Sequence, residues 1–354
     1  MKNIDYIIVG QGIAGSLLAY KLLKADKKII VLNDETLPTS SNVAGGIFNP
    51  ITGKNLDKTW LADQIFPYLR NFYLSLEKEF HCSFYHETNL YRPFANEQQK
   101  KHFLRLTDEF DLGNYIKIIL ESNSSNYSAI TNNLGGLLTS SAGWVDVTKM
   151  IVNFRKYFIT QEVYQTEKFA YQALEISENK VVYKGIEAKR IIFCEGYYAS
   201  QNPFFNWIPF NPAKGETLLT DVENYTISEI INQGFWIIPL GDNKCRFGST
   251  YIWDEIDWKT TEKGMELIST KVDKFLLNHY KITGQEAGIR PTTKDRRPFI
   301  GNHPLHSNVY VFNGLGTKGV SLAPYFAEEM LCYLEKNKVL ISESNIERFY
   351  SLYS

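Results

Sequence analysis

The chain has 354 residues, a formal net charge of −1 and 14% aromatic residues. That length accommodates two domains with substantial cores, and the near-zero charge excludes a long-range basic field of the kind that recruits nucleic acid or a membrane surface. The four cysteines, Cys82, Cys194, Cys245 and Cys332, are widely spaced without a CxxC pair, which reads as reduced packing residues of a cytoplasmic protein and not as a metal site or disulfide framework.

Ile4 to Val9 reads as a short apolar strand, and GQGIAG (Gly10 to Gly15) follows it. Gly10 and Gly12 allow a tight turn and close backbone approach to a pyrophosphate, Ile13 and Ala14 begin the next element, and Gly15 lets that helix pack hard on the strand. Leu17, Leu18, Ala19, Leu22 and Leu23 recur at helical spacing, and Ile29 to Leu32 supplies a second strand. A helix N-terminus with unpaired N–H groups and a positive dipole end suits a diphosphate. The strand starts at residue 4, so a cleavable signal peptide is not expected. No apolar run approaches the roughly eighteen residues of a membrane span.

The end of the second strand is the place for an acidic residue that accepts hydrogen bonds from an adenosine ribose. Asn33 occupies it and Asp34 follows. Either can accept such a bond, or both simply cap a loop. Farther along, Trp60 to Glu79 reads as a helix, Phe84 to Tyr91 as strand-like and Gln98 to Phe110 as a polar helix, before a loop with SNSSN at Ser122 to Asn126. Val145 to Phe158 reads as helix, and Phe169 to Ile176, Val181 to Tyr183 and Ile191 to Cys194 as strands ending at Glu195 and Gly196. Strands at Glu216 to Leu219, Phe235 to Pro239 and Cys245 to Tyr251 precede a helix at Thr261 to Leu277. A strand at Val309 to Asn313, a glycine loop and a helix at Leu322 to Leu334 follow.

These elements predict an α/β fold. A Rossmann-like βαβ nucleotide-binding domain is assembled from the discontinuous segments 1–80, 142–204 and 286–354. An α+β substrate domain on a mixed or antiparallel sheet takes 81–141 and 205–285. The six histidines show no spacing that reads as a metal site.

Beyond GQGIAG, the blocks SSNVAGGIFNP (Ser40 to Pro50), SAGWVDV (Ser141 to Val147), IIFCEGYYAS (Ile191 to Ser200), PAKGETLLT (Pro212 to Thr220), WIIP (Trp236 to Pro239), GSTY (Gly248 to Tyr251), GIRPTTKDRRPFIG (Gly288 to Gly301) and GLGTKGVSLAP (Gly314 to Pro324) occur in order. In this order the chain resembles the D-amino-acid oxidase and glycine oxidase superfamily of FAD-dependent amine oxidoreductases. The resemblance implies FAD in the nucleotide-binding domain. It is held non-covalently, because Arg290 and Pro291 occupy the neighbourhood of the cysteine that attaches flavin in sarcosine oxidase relatives. Ser40, Ser41, Gly45, Gly46 and Ile47 are then expected beside the flavin, the strand around Ala170 over the adenine, and Gly196 on the adenosine side. Gly314, Gly316, Thr317, Gly319 and Val320 are expected to face the flavin pyrimidine. Lys318 adds charge there or is a solvated surface lysine.

By the same resemblance Arg290 pairs with a substrate carboxylate, for which a planar guanidinium is suited. Trp236 and Tyr251 match pocket-lining positions where a tyrosine and a methionine are usual, so glycine itself is a poor fit. Asp295 and Arg297 fit a turn. The implied activity is oxidation of the C–N bond of an amino acid or carboxylate-bearing secondary amine by hydride transfer, with oxygen or another electron acceptor. Two alternatives remain. One follows from the similarity of GLGTKG to the oxidase domain that acts on carboxymethylaminomethyl-uridine in tRNA, against which the near-neutral charge stands. The other is a non-catalytic flavin-binding protein. A homo-oligomer is compatible with the sequence, and a membrane partner is not expected.

Overall fold

The N-terminal apolar run forms the strand Lys2–Val9, in which Ile4, Tyr6, Ile7, Ile8 and Val9 are buried. It lies parallel to Ile29–Asn33 on one side and Ile186–Phe193 on the other, which is why its apolar residues run on without alternating. The structure, a computed structural model, describes residues 2–112, 115–119 and 125–353. Val309–Asn313 runs parallel to Ile186–Phe193, and Tyr164–Thr166 parallel to Ile29–Asn33. Three shorter strands, Leu174–Ile176, Val181–Tyr183 and Phe299–Asn302, pair antiparallel at the margins.

This sheet belongs to the first of two compact units, made of Met1–Ala44, Val147–Ala213 and Gly288–Ser354. Its helix Ile13–Lys24 packs against both Gly319–Lys336 and Val147–Thr160. Enclosed in this way, Ala14 to Tyr20 are all buried. The core gathers Ile7, Val9, Leu32, Ile191, Phe193, Val309 and Val311, with Phe169, Tyr171 and Phe204 packed on it.

The second unit takes Gly45–Asp146 and Lys214–Ala287. Its nine-stranded sheet contains Tyr280–Arg290, Ala213–Val222, Lys244–Gly248, Trp236–Gly241, Ile230–Asn232, Tyr85–Pro93, Gly136–Val145 and Ile47–Phe48 in that order, with Ile116–Ile119 on Gly136–Val145. Ile230–Asn232 runs parallel to Tyr85–Pro93, whereas Lys244–Gly248 pairs antiparallel with Ala213–Val222 and Trp236–Gly241, and Gly136–Val145 antiparallel with Tyr85–Pro93, Ile47–Phe48 and Ile116–Ile119, so the sheet is mixed. Its helices are Ala62–Phe80, Glu97–Glu109 and Glu262–Val272.

Several expectations need correction. Residues 45–80, expected with the nucleotide-binding segments, fall in the second unit. Ile47 and Phe48 pair there with Trp144 and Gly143, and Val145 donates to the Gly46 carbonyl. The remaining boundaries move from 142 to 147, from 205 to 214 and from 286 to 288. The strand expected at Phe169 to Ile176 shrinks to Leu174–Ile176. Aromatic packing replaces a ladder upstream of it. Phe169 stacks on Tyr183 with ring centroids 4.3 Å apart, and Ala173 N–H closes a tight turn onto the Ala170 carbonyl.

The helix expected to reach Leu277 stops at Val272, because the chain then pairs with another segment: Leu277 N–H donates to Ala129 O and Thr131 N–H to Phe275 O. The strand expected over Cys245 to Tyr251 ends at Gly248. Gly136–Val145 and Tyr280–Arg290 are strands the sequence reading did not identify. Residues 122–124 of the expected Ser122 to Asn126 loop lie outside the described residues. No helix among the described residues is long and apolar enough to cross a membrane.

Phe193 is fully buried and touches the rings of Phe169, Phe204 and Phe205. Phe193→Ala should lower the unfolding free energy by about 3–5 kcal/mol, read as a lower urea midpoint at unchanged m-value.

Candidate functional site

The parallel strands Lys2–Val9, Ile29–Asn33, Ile186–Phe193 and Val309–Asn313 end at one edge of the first unit's sheet. Gly10, Gly196 and Gly314 each follow a strand end with positive φ, at +96°, +57° and +73°. The carboxyl edge of a parallel sheet is where such folds bind ligands. Hydrogen bonds knit the strand ends together. Gly10 N–H donates to Leu32 O, Cys194 N–H to Val9 O, and Asn313 Nδ2 to Gly196 O.

Gly10 and Gly15 have local reasons to be glycine. A Cβ on Gly15 would stand 1.9 Å from the Gly10 carbonyl oxygen, and one on Gly10 would stand 2.6 Å from that of Cys194. Gly12 differs. A Cβ there would meet only Ser41 Oγ, at 3.3 Å, so it would fill space next to the helix N-terminus and not space the chain already occupies. The helix Ile13–Lys24 has no side-chain cap at Gly12 and no acidic residue in its first turn. Ser41 Oγ instead accepts from Ile13 N–H at 3.1 Å, and a hydroxyl that accepts one bond keeps a donor for another. Open space beside backbone N–H groups and the Ser41 hydroxyl, with no acidic residue in the first turn of the helix, fits a diphosphate.

The glycine segment from Gly314 to Gly319 lies close to the first glycine loop. Gly319, at the start of the helix Gly319–Lys336, would bring a Cβ to 3.4 Å from Ile13. Before it, Gly316–Lys318 forms one tight turn with Thr317 exposed and Lys318 half-buried, and Val320 lies buried in the helix. Ser40 and Ser41 belong to a similar turn at Ser40–Asn42.

Arg290 is the last residue of the strand Tyr280–Arg290 and is half-buried. The backbone on either side of it is fixed by the segments just described. A Cβ on Gly288 would lie 2.3 Å from Val43 and 3.6 Å from Ser40. Gly316 N–H donates to Pro291 O, while Thr292 and Thr293 abut Gly316 and Gly314.

At the end of the strand Ile29–Asn33, Asn33 Oδ1 accepts from Gln11 N–H at 2.9 Å, and its Nδ2 donates to Tyr164 Oη. Asp34 turns its carboxylate to its own loop, accepting from Thr36 N–H and Oγ1, and the Thr36 hydroxyl holds it below the usual carboxylate range. Glu35, missed in the sequence, gathers Tyr164 Oη, Thr166 Oγ1 and Arg155. Arg155 Nε also donates to Gln11 Oε1. Only GQG hinted at this network, since its partners lie far away in sequence.

The turn at Ala170 reaches the same edge. Ala170 N–H donates to Tyr183 Oη, and Tyr171 Oη donates to Glu195 at 2.5 Å. Glu195 also accepts from Asn202 Nδ2 at 2.7 Å. Burial raises its carboxyl pKa to about 7, with the two donors opposing the rise. Burial likewise pushes the adjacent Cys194 thiol well up.

In the second unit, Gly45 and Gly248 have a reason independent of any ligand. A Cβ on either would stand 2.9 Å or 2.4 Å from the Trp236 indole. Gly46, at φ +68°, would bring a Cβ to 2.0 Å from Val145 O. Trp236 packs on Leu90, Ala142, Ile230 and Ile238, and Ile47 is half-buried. Tyr251 is 42% exposed, with its ring 4.6 Å from Trp253. Asp295 caps a turn by accepting from Arg297 N–H and pairs with Arg348. All four cysteines are free. Among the described residues, no group of three His, Cys, Asp or Glu could hold a metal ion.

The family model described as FAD dependent oxidoreductase, DAO, matches residues 5–333. The chain belongs to this family. Relatives of the FAD dependent oxidoreductase chain include the tRNA 5-methylaminomethyl-2-thiouridine biosynthesis bifunctional protein MnmC of Idiomarina loihiensis, 19% identical over 97% of this chain and 58% of that protein. The chain therefore spans little more than half the length of such relatives. The glycine oxidase of Bacillus subtilis is 27% identical over 39% of this chain and 38% of its own length. The crystal structure of glycine oxidase from Geobacillus kaustophilus superimposes with a TM-score of 0.80 at 17% identity, covering 99% of this chain and 98% of that one, which establishes the shared fold.

The site makes two predictions. Gly12→Val should give a folded protein that retains no FAD, because the new side chain enters the space left for the diphosphate and only Ser41 must give way. Flavin absorbance alongside a thermal melt would show this, and full flavin content would contradict it. The second concerns Glu195. Its folded pKa of about 7 lies above the ordinary carboxylate value of 4.5, so the folded state binds the extra proton between about 4.5 and 7. That stability is present at low pH and lost as pH rises through 7. Glu195→Gln should flatten the pH dependence of the melting temperature across that window.

Proposed function

We propose that this chain oxidises the C–N bond of an amino acid or another amine carrying a carboxylate. The observation that carries this reading is the position of Arg290. Within one unit, its flanking residues are braced by Ser40 and Val43 on one side and by Gly314 and Gly316 on the other. Those are the segments that the family resemblance assigns to the flavin.

The residues present fit FAD. Gly10, Gly12, Ser41 and the N-terminus of Ile13–Lys24 would hold the diphosphate, and Asn33, Ala170 and Gly196 the adenosine. Ser40, Gly45, Gly46 and Ile47 would border the flavin. The segment from Gly314 to Val320 would present N–H groups and a helix dipole to the flavin pyrimidine. Binding is non-covalent in this reading, since Arg290 and Pro291 occupy the neighbourhood of the cysteine that attaches flavin in sarcosine oxidase relatives. When bound, FAD supplies the hydride acceptor.

Arg290 would bind the substrate carboxylate with two parallel N–H donors, fixing the orientation of the bond to be oxidised. Trp236 and Tyr251 would line the substrate side, where their bulk favours side chains larger than hydrogen. The chemistry asks for orientation and a neutral amine more than for a strong base, so no acid–base pair is required. Oxygen or another acceptor would reoxidise the flavin. Free cysteines are compatible with a cytoplasmic setting. A flavin-binding protein without catalysis would leave the bracing of Arg290 without purpose.

A second reading is favoured by one observation, the extent of the match to MnmC, which spans 97% of the chain against 39% for the glycine oxidase match. On it, the amine is carboxymethylaminomethyl-uridine in tRNA, and Arg290 serves unchanged. The net charge of −1 weighs against it, because tRNA binding relies on several phosphate contacts.

Anaerobic flavin bleaching with D-amino acids, N-methyl amino acids, proline and carboxymethylaminomethyl-uridine separates the two readings. With the best amine, Arg290→Ala should reduce specificity by roughly thirtyfold to several-thousandfold, about 2–5 kcal/mol, with Arg290→Lys intermediate and flavin content unchanged. Wild type should reject the carboxamide analogue and Arg290→Ala should not. Equal rates for acid and amide on wild type would eliminate the carboxylate anchor.

A further inference from the structure

Gln11 stands between Gly10 and Gly12, the two residues that give this loop most of its backbone freedom, yet it is only 3% exposed. Its side chain is held at both ends. Nε2 donates to Ser16 Oγ and Ile151 O, and Oε1 accepts from Arg155 Nε at 2.9 Å. Arg155, on the helix Val147–Thr160, also donates through Nη1 to Glu35 Oε2 at 2.9 Å. Tyr164 Oη donates to the other Glu35 oxygen and accepts from Asn33 Nδ2, while Asn33 Oδ1 accepts from Gln11 N–H. Five residues thus close a circuit of hydrogen bonds that begins and ends in the middle of the glycine loop. All five belong to the first compact unit.

Stability alone does not account for the circuit. The Arg155 and Glu35 side chains are 29% and 36% exposed, and ion pairs so placed contribute little to folding. What the circuit supplies is direction. One planar guanidinium bonds two acceptors on different segments, so Gln11 cannot turn without disturbing Glu35. The Thr166 hydroxyl first, and the Tyr164 hydroxyl second, hold the Glu35 carboxyl below the usual carboxylate range, which keeps it an acceptor for Arg155. Next to Gln11, Gly12 borders the open space at the N-terminus of Ile13–Lys24. A loop fixed before its ligand arrives loses less freedom on binding.

We infer that the Arg155–Glu35 pair braces the glycine loop: acting through Gln11, it holds the backbone beside Gly12 in place for the FAD diphosphate, making both members positioning residues for cofactor binding. The inference rests on the proposed placement of the diphosphate at Gly12 and is independent of the amine oxidised. The sign of the Glu35 effect separates a brace from plain electrostatics. A carboxylate repels a nearby diphosphate, so neutralising a Glu35 without a positioning role would tighten FAD binding. The brace requires the opposite.

The test follows FAD release from the full chain on dilution, read as the rise in flavin fluorescence, alongside melting temperatures with and without FAD. Arg155→Met should raise the FAD dissociation constant roughly tenfold, because Gln11 Oε1 loses its donor and the loop relaxes to find another. Glu35→Gln should raise it about threefold or more, and Arg155→Lys should fall between wild type and Arg155→Met. The double variant Arg155→Met/Glu35→Gln should bind no more weakly than Arg155→Met. In each variant the rise in melting temperature that FAD confers should shrink, while the FAD-free chain melts as wild type does. Tighter or unchanged FAD binding in Glu35→Gln overturns the inference, as does an equal fall in both melting temperatures at unchanged affinity. Glu35 is partly exposed, so its variant decides the matter even where Arg155→Met fails to fold. Full flavin content in Gly12→Val refutes the diphosphate placement and the brace with it, whereas flavin loss there with unchanged affinity in Glu35→Gln refutes the brace alone.

Discussion

The candidate site depends on the contact between Gly15 and the Gly10 carbonyl. A single methyl at residue 15 would fall 1.9 Å from that oxygen, so the helix Ile13–Lys24 can lie this close to the strand end only because residue 15 lacks a side chain. That approach sets the direction of the helix N-terminus. Ser41 and the helix Gly319–Lys336 are then placed against it through Ile13. The constraint is steric, so it specifies geometry without a large stabilising term of its own. The surrounding buried leucines and isoleucines supply the stability.

Glycines in this chain therefore fall into two physical kinds. Gly10, Gly15, Gly46 and Gly248 are surrounded by the protein's own atoms, and their absence of a side chain serves packing. Gly12 and Gly196 border space the protein does not fill, since a Cβ on Gly196 would meet nothing within 4 Å. In the sequence the two kinds look alike. GQGIAG mixes them within six residues, and Gly45, assigned to the flavin side on resemblance, also lies against the Trp236 indole.

What was legible in the sequence follows from this. The βαβ opening was readable because its signals are local: an apolar run, three glycines and a helical leucine pattern. The strand Val309–Asn313 was readable for the same reason, its five residues all being buried. The strand Tyr280–Arg290 was not, since its first half alternates between exposed and half-buried positions and carries Lys281, Gly284, Gln285 and Glu286. The assignment of residues 45–80 failed because strand pairing with Gly136–Val145 decides it, across nearly a hundred residues of sequence. Glu35, Arg155, Tyr164 and Glu195 were invisible as a set, because each is an ordinary polar residue until the fold brings its partners together.

The order in which the first unit's strands occur along the chain bears on synthesis. Its central strand, Lys2–Val9, emerges from the ribosome first. Its parallel partner Ile186–Phe193 and the outer Val309–Asn313 arrive much later. Until then the N-terminal βα piece exposes a strand edge and an apolar helix face that later segments will cover, a situation that favours aggregation or chaperone capture. The turn at Gly316–Lys318 is among the last parts of the site to be made. A nascent chain would thus become competent to retain its cofactor only once Gly316–Lys318 has been made and folded against the strands before it.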